Sequence, residues 1–339
     1  MTWLFLVLTV GSAALAAALG TLAVQGYALR RLLDLPNARS SHRTPTPRGG
    51  GLAIVAAFAL AAVQMHGLGL LPFDWLMALV GALPVAAVGF WDDHGHVPAR
   101  WRLLVQVAAA GWSLHWLGGL ESLSLAGDSY GLGWLGLPLG LVFIAWILNL
   151  FNFMDGIDGI AGVEAITVAL SAAGLAWLTP ERALPGSAEA ALALAAATGG
   201  FLLWNWPPAE IFMGDVGSGF IGFLLGLLAV RMASSGELSL AASLILLGVF
   251  FVDATVTLLR RMASRQRWYE AHRSHAYQHA AQRLGGHRPV TLAVLAINLG
   301  WLLPLAYAAA RWPGLEAACL ALAYAPLAAL AFRLEAGKS

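Results

Sequence analysis

Long apolar runs separated by short polar stretches organise this sequence from end to end. Eleven runs stand out, at about 3–25, 51–66, 72–91, 101–118, 134–150, 160–178, 188–204, 217–233, 238–258, 290–310 and 314–333. Each approaches the ~20 apolar residues a helix needs to cross the hydrocarbon of a bilayer. The runs are rich in Ala, Leu and Gly and lack the period-two alternation of a closed barrel, so they predict helices. The pattern therefore predicts an all-α, polytopic membrane protein of about eleven spans, folded as one domain over residues 1–339.

Composition agrees with the pattern. Of 339 residues, 59% are apolar and 11% charged, whereas a soluble domain carries about 25% charged residues. The formal net charge of +1 offers nucleic acid no basic surface. The single cysteine, Cys319, lies inside the last apolar run, which excludes a disulfide framework or a cysteine metal site. No basic segment precedes the first run and no clear cleavage site precedes Gln25, so that run is read as a retained helix rather than a signal peptide.

Cations decide the expected orientation. With eleven spans, one set of loops and ends receives Arg30, Arg31, Arg39, Arg43, Arg48, Arg100, Arg102, Arg260, Arg261, Arg265, Arg267, Arg273, Arg283, Arg288, Arg333 and Lys338, and the other only Arg182, Arg231 and Arg311. Basic loops stay in the cytoplasm, which places the N-terminus outside and the C-terminus inside. The polar motifs sort the same way. "DLPNARSSHRTPTPRGGG" (34–51), "WDDHGHVPARWRLLVQ" (91–106), "NLFNFMDGIDGIAG" (149–162), "NWPPAEIFMGDVGSG" (205–219) and "RRMASRQRWYEAHRSHAYQHAAQR" (260–283) all fall on the basic side. An active site is expected there, built from loops 26–50, 92–100, 149–159, 205–216 and 259–289.

Five carboxylates dominate that side: Asp92, Asp93, Asp155, Asp158 and Asp215. Hard oxygen ligands suit Mg²⁺, with Mn²⁺ the alternative, and Mg²⁺ takes one or two carboxylates while leaving room for substrate phosphates. Each aspartate alone could be a helix cap. Five on one face, beside Asn149, Asn152 and Asn205, point instead to a cation and a phosphorylated ligand. Asp92 and Asp93 are adjacent and repel, which suits one of them to act as base or nucleophile. Asp215 lies among Gly214, Gly217 and Ser218 where a helix should begin, and exposed N–H groups there favour phosphate oxygens. No Gly-Lys-Ser/Thr follows, so this is not a Walker A loop. The 260–283 loop, with its arginines, Trp268, Tyr269, Tyr277, His272, His275 and His279, reads as a basic and aromatic interfacial anchor and as a phosphate-recognition segment. His94 and His96 read as plain loop histidines.

These five motifs, in this order, resemble the polyprenyl-phosphate N-acetylhexosamine-1-phosphate transferase family. It contains the phospho-N-acetylmuramoyl-pentapeptide transferases and the enzymes that initiate O-antigen, enterobacterial common antigen and teichoic acid synthesis. The resemblance implies a Mg²⁺-dependent membrane transferase of the bacterial inner membrane. Undecaprenyl phosphate would attack a UDP-N-acetyl amino sugar on the cytoplasmic face, releasing UMP. It implies catalytic roles for Asp92, Asp93, Asp215 and His275, with Asp92 as the base or nucleophile. Metal ligation falls to Asp215, Asp92 and Asp93. Substrate binding falls to Asn149, Asn152, Asp155, Asp158, Asn205, Phe212, Arg102 and Arg48, with Phe212 stacking on uracil. A homodimer is left open. Two departures matter: Arg102 stands where the family usually has Lys, and Tyr277 replaces the second histidine of the basic loop. They favour an O-antigen-initiating enzyme over the alternative, a muramoyl-pentapeptide transferase. A secondary transporter would instead need carboxylates at mid-helix, where Asp253 is the nearest instance. An intramembrane aspartyl protease would need a glycine that "FMGDVG" lacks.

Overall fold

The computed structural model describes residues 2–36, 44–125, 128–178, 184–266 and 272–338. Arg39, Arg43, Arg182, Arg267, Trp268 and Tyr269 lie outside the described residues. Fifteen α-helices are described: α1 (Thr2–Arg31), α2 (Gly51–Gly67), α3 (Phe73–Val80), α4 (Ala82–His94), α5 (Ala99–Leu117), α6 (Gly136–Met154), α7 (Ile160–Trp177), α8 (Ser187–Asn205), α9 (Asp215–Ser235), α10 (Leu240–Leu246), α11 (Gly248–Ala263), α12 (Ala276–Arg283), α13 (His287–Ile297), α14 (Leu303–Arg311) and α15 (Glu316–Arg333). A π-turn at Asn298–Leu302 joins α13 to α14. Two small antiparallel ribbons, Leu33–Asp34 with Thr46–Pro47 and Ser122–Leu125 with Asp128–Gly131, are added to the expected all-α frame.

Every one of the eleven apolar runs is helical. Among the described residues, eight helical stretches are long and apolar enough to cross a membrane, and nine if α10 and α11, bent by 82° at Leu247, count as one. The two runs that fall short have simple reasons. Helix α2 has only 17 residues, and α5 carries Arg100, Arg102, Gln106 and His115 among its apolar positions. The chain is therefore a polytopic helical membrane protein.

Helix α9 is the axis of the bundle, with every residue from Val216 to Ala233 buried. It packs on α4 and α6, while α1, α7 and α8 form an adjoining layer. An interior helix has no polar face to keep wet, which is why its sequence is apolar all round. The close approach of α4 depends on Gly89: a Cβ there would lie 2.4 Å from the Asp215 carbonyl oxygen. That contact brings the end of α4, with its two aspartates, against the start of α9.

Candidate active site

At one end of the bundle, α4, α6 and α8 finish while α5, α7 and α9 begin. Helix ends expose N–H and C=O groups without partners inside the helix. Side chains from remote parts of the sequence satisfy them here. Gly214 adopts φ +76°, a conformation suited to glycine, and turns the chain into α9. Both oxygens of Asp93 then accept backbone N–H groups of that first turn, Oδ1 from Asp215 at 3.0 Å and Oδ2 from Val216 at 3.1 Å. Asp93 is buried, and the Arg48 guanidinium donates to its carbonyl oxygen. Its carboxylate thus holds the first turn of α9, a scaffold contact that the sequence did not announce.

Arg48 itself is fixed by a backbone zipper. Phe212 N–H donates to the Pro47 carbonyl, Gly50 N–H to Phe212 and Gly51 N–H to Met213, at 2.8–3.0 Å. The "RGGG" and "FMGD" motifs, remote in sequence, are thereby laid side by side. Phe212 is half-buried at this junction.

The central constellation lies next to it. The Arg102 Nη1 donates to Asp92 Oδ2 at 2.7 Å and to Asp215 Oδ2 at 3.1 Å, bridging the two carboxylates. Asp92 Oδ1 accepts the Val97 N–H at 2.7 Å. Asn152 Nδ2 donates to Asp215 Oδ1 at 2.9 Å and to Ser218 Oγ at 2.8 Å. One turn earlier on α6, Asn149 Nδ2 donates to Gln106 Oε1 of α5 at 2.9 Å. Asp92, Arg102, Asp215, Asn152 and, behind them, Asp93 and Arg48 are therefore brought together.

Asp155 completes the acidic field. It is half-buried and its carboxylate accepts no hydrogen bond among the described residues. Burial, together with the negative charges of Asp215, Asp93 and Asp158, holds its carboxyl well above the usual carboxylate range. Asp158 is used differently. Its Oδ2 accepts the Ala209 N–H at 3.1 Å and lies 3.1 Å from His287 Nδ1, while Thr291 Oγ1 donates to its carbonyl at 2.9 Å. Buried Asn205 accepts the Gly159 N–H at 2.9 Å and donates to the Ile211 carbonyl at 2.9 Å. Both residues tie the loop before α7 to the loop before α9, shaping the rim from behind.

His275 belongs to a separate cluster. It is buried, lies 3.4 Å from Asp253 Oδ1 and stacks on His272 and Tyr277. Asp253 also accepts the backbone N–H groups of Ala276 and Tyr277, both at 2.9 Å, and so caps α12. The Tyr277 hydroxyl donates to the Phe153 carbonyl at 3.1 Å, which docks this cluster against the end of α6. Burial, with His275 and Arg261 beside it, pushes the His272 imidazole down to about 4.

Two of these partners, His287 and Thr291, carried no motif signal, while Gln106 and Ser218 lie within the quoted motifs but were given no role of their own. Asp253 was visible as a carboxylate inside an apolar run. Glu164, buried in α7 against Asn298 Nδ2 at 2.7 Å, is a second one that the same scan should have flagged.

The residues suit a hard divalent cation by their donor chemistry. Among the described residues no three His, Cys, Asp or Glu side chains gather closely enough to hold a metal unaided. Asp155 offers an unpartnered carboxylate and Asp215 a partly exposed one, a set suited to a cation that also takes phosphate oxygens.

The model of glycosyl transferase family 4 matches residues 75–233, from α3 to α9. The chain is also 32% identical over 283 residues to a Bacillus subtilis (strain 168) protein, the probable undecaprenyl-phosphate N-acetylglucosaminyl 1-phosphate transferase, covering 78% of this chain and 74% of that protein. The chain belongs to glycosyl transferase family 4. For a family 4 glycosyl transferase the convergence of motifs has a direct meaning. The site is assembled from helix ends that are remote in sequence, so it depends on how those helices pack together.

Proposed function

We propose that this protein transfers an N-acetylated amino-sugar-1-phosphate from a UDP-sugar to undecaprenyl phosphate, releasing UMP. The acceptor and the kind of donor come from the name of the Bacillus subtilis relative. The observation that carries the reading is the shared Arg102 bridge between Asp92 and Asp215, residues 123 positions apart, at a helix-end rim lined by Asn152 and Asp155. The cation distribution of the sequence supports a rim in the cytoplasm, where nucleotide sugars are made, with the N-terminus outside, and the bacterial relative supports the inner membrane.

The reaction needs positioning and charge neutralisation more than covalent chemistry. Asp92 takes the proton of the acceptor phosphate. The freed oxygen attacks the β-phosphorus of the UDP-sugar, the pyrophosphate bond breaks and UMP leaves with the electron pair. Arg102 moves from its carboxylate partners to phosphate oxygens as the substrate arrives, and its planar fork suits that exchange. Asn152 holds Asp215 in place. Mg²⁺, held by Asp215 with Asp155 or Asp92, would neutralise the pyrophosphate charge. Asp93 positions the first turn of α9, Asn205 and Asp158 set the loops around the nucleotide, and His275 steadies the flanking segment through Asp253. Tyr277, in place of a second histidine, favours initiation of O-antigen or a related surface polysaccharide.

The test is direct. Purified protein is incubated with undecaprenyl phosphate, Mg²⁺ and a panel of UDP-N-acetyl amino sugars, and UMP is followed. Release with at least one donor, dependent on both acceptor and Mg²⁺, is the expected outcome. Absence of UMP with every donor would overturn the reading.

A further inference from the structure

A second cavity lies outside the carboxylate rim. It is a groove of about 950 Å³, open mouth included, between α12, α13 and α15, with α11 behind it. Its walls are aliphatic, formed by Ala280, Leu284, Val290, Val294, Leu327 and Leu330. Asp253 and Tyr277 close the inner end, and both are buried and engaged in the α12 cap and the α6 contact. The enclosed volume, about 330 Å³, lies at the lower end of the range of ligand sites, roughly 300–1,000 Å³. Helices α13 and α15 belong to stretches that cross the membrane and are only 28% buried, so the groove opens toward lipid.

The mouth is cationic. Arg283 lines it and is half exposed. Arg288 opens α13 and Arg333 ends α15, with Lys338 just beyond. Glu335 is the facing carboxylate, shared between Arg283 Nη2 and Lys338 Nζ at 3.1 Å each. Two cations, Arg283 and Lys338, thus meet one anion at this mouth, and the Arg283 guanidinium also donates to the Arg333 carbonyl at 3.2 Å. An aliphatic slot with a positive lip complements an acyl chain carrying a negative headgroup.

We propose that this groove holds a resident anionic phospholipid, its acyl chain along the aliphatic walls and its phosphate at Arg283. The site is distinct from that of the reacting lipid. Arg283 lies seven residues along α12 from Ala276, about 10 Å at 1.5 Å per residue, and it is the opposite end of α12 that meets the rim through Tyr277. A phosphate at Arg283 is held away from Asp92 and Asp215. The lipid fastens α12 to α13 and α15, and so braces the segment that carries His275.

The experiment titrates the full-length protein in detergent with phosphatidylglycerol and phosphatidylcholine and counts bound lipid by native mass spectrometry. Phosphatidylglycerol is expected to bind in preference to phosphatidylcholine. Arg283→Glu, at an exposed position, should weaken it about 25-fold, ~5-fold for each unit of charge changed near the surface. Ala293→Trp, at a further position lining the groove on α13, fills the slot and should remove it while folding is checked by thermal melting without added lipid. Arg31→Glu, the same charge reversal on exposed α1, should leave binding unchanged. Wild-type binding in both groove variants would overturn the proposal. Equal weakening in Arg31→Glu would also overturn it, since surface charge alone would then explain the preference. Retention of undecaprenyl phosphate in place of phosphatidylglycerol would overturn it as well.

Discussion

The two ends of α9 make opposite use of buried charge. At its first turn, Asp215 shares Arg102 with Asp92, and Asp155 stands without a hydrogen-bond partner among the described residues. Near its last turn, Arg231 is enclosed: Nε donates to Ser187 Oγ and Nη2 to the Pro185 carbonyl, both at 3.0 Å, and the guanidinium lies 4.5 Å over the Trp75 ring. Ser187 in turn donates to Glu237 Oε1 at 3.0 Å. One network ties its members to one another, and the other leaves carboxylates in excess. A closed network fastens helices, because removing any member strands a buried polar group. An open one invites a cation and phosphates from outside.

The contrast predicts that substitutions at the two ends separate activity from stability. The largest effect on turnover is expected for Asp215→Asn, which keeps the shape but removes the charge. UMP release should fall by at least about 10²–10³-fold, the usual cost of losing one preorganised electrostatic group, with a melting temperature near wild type. Full activity would remove the charge-based account of this end. Arg231→Met should do the reverse. It removes the donor to Ser187 Oγ and the positive charge near Glu237, at a cost on the order of 1–3 kcal/mol for a buried polar group left unsatisfied, read as a lower melting temperature. The KM for the UDP-sugar should be unchanged in the protein that remains folded, and a raised KM would show that the ends are not independent.

Smaller effects sharpen the boundary. Asp93→Asn turns one acceptor oxygen into an N–H group facing a backbone N–H, costing about 1–3 kcal/mol for the unsatisfied group. Both melting temperature and kcat should fall, kcat less than in Asp215→Asn. A kcat loss as deep as that of Asp215→Asn with unchanged melting would return Asp93 to a direct role. Arg102→Lys is expected to be mildest, roughly tenfold in kcat/KM, since a lysine keeps the charge but loses the planar guanidinium that places Nη1 between the two carboxylates. Steady-state kinetics at matched Mg²⁺ would check it.

Much of this was legible in the chain before any coordinates. Eleven apolar runs became helices because helix formation in lipid is local: every backbone group must find its partner within the same segment. The acidic and amide positions were legible too, since polar side chains at the edges of such runs carry a cost that function must justify. Their division of labour was not. The adjacent Asp92 and Asp93 look alike in sequence, yet α4 points one at Arg102 and the other at the N–H groups of α9. Asn205 and Asp158 read as ligand contacts, and the structure adds that they clamp loops. Asp253 read as a stray carboxylate and caps the segment around His275. The sequence by itself determined which segments enter the membrane and which residue types collect between them, because hydropathy is a property of each segment alone. Which oxygen meets which donor depends on how six helix ends are brought together, and only the packing of α4, α6 and α8 around α9 decided that.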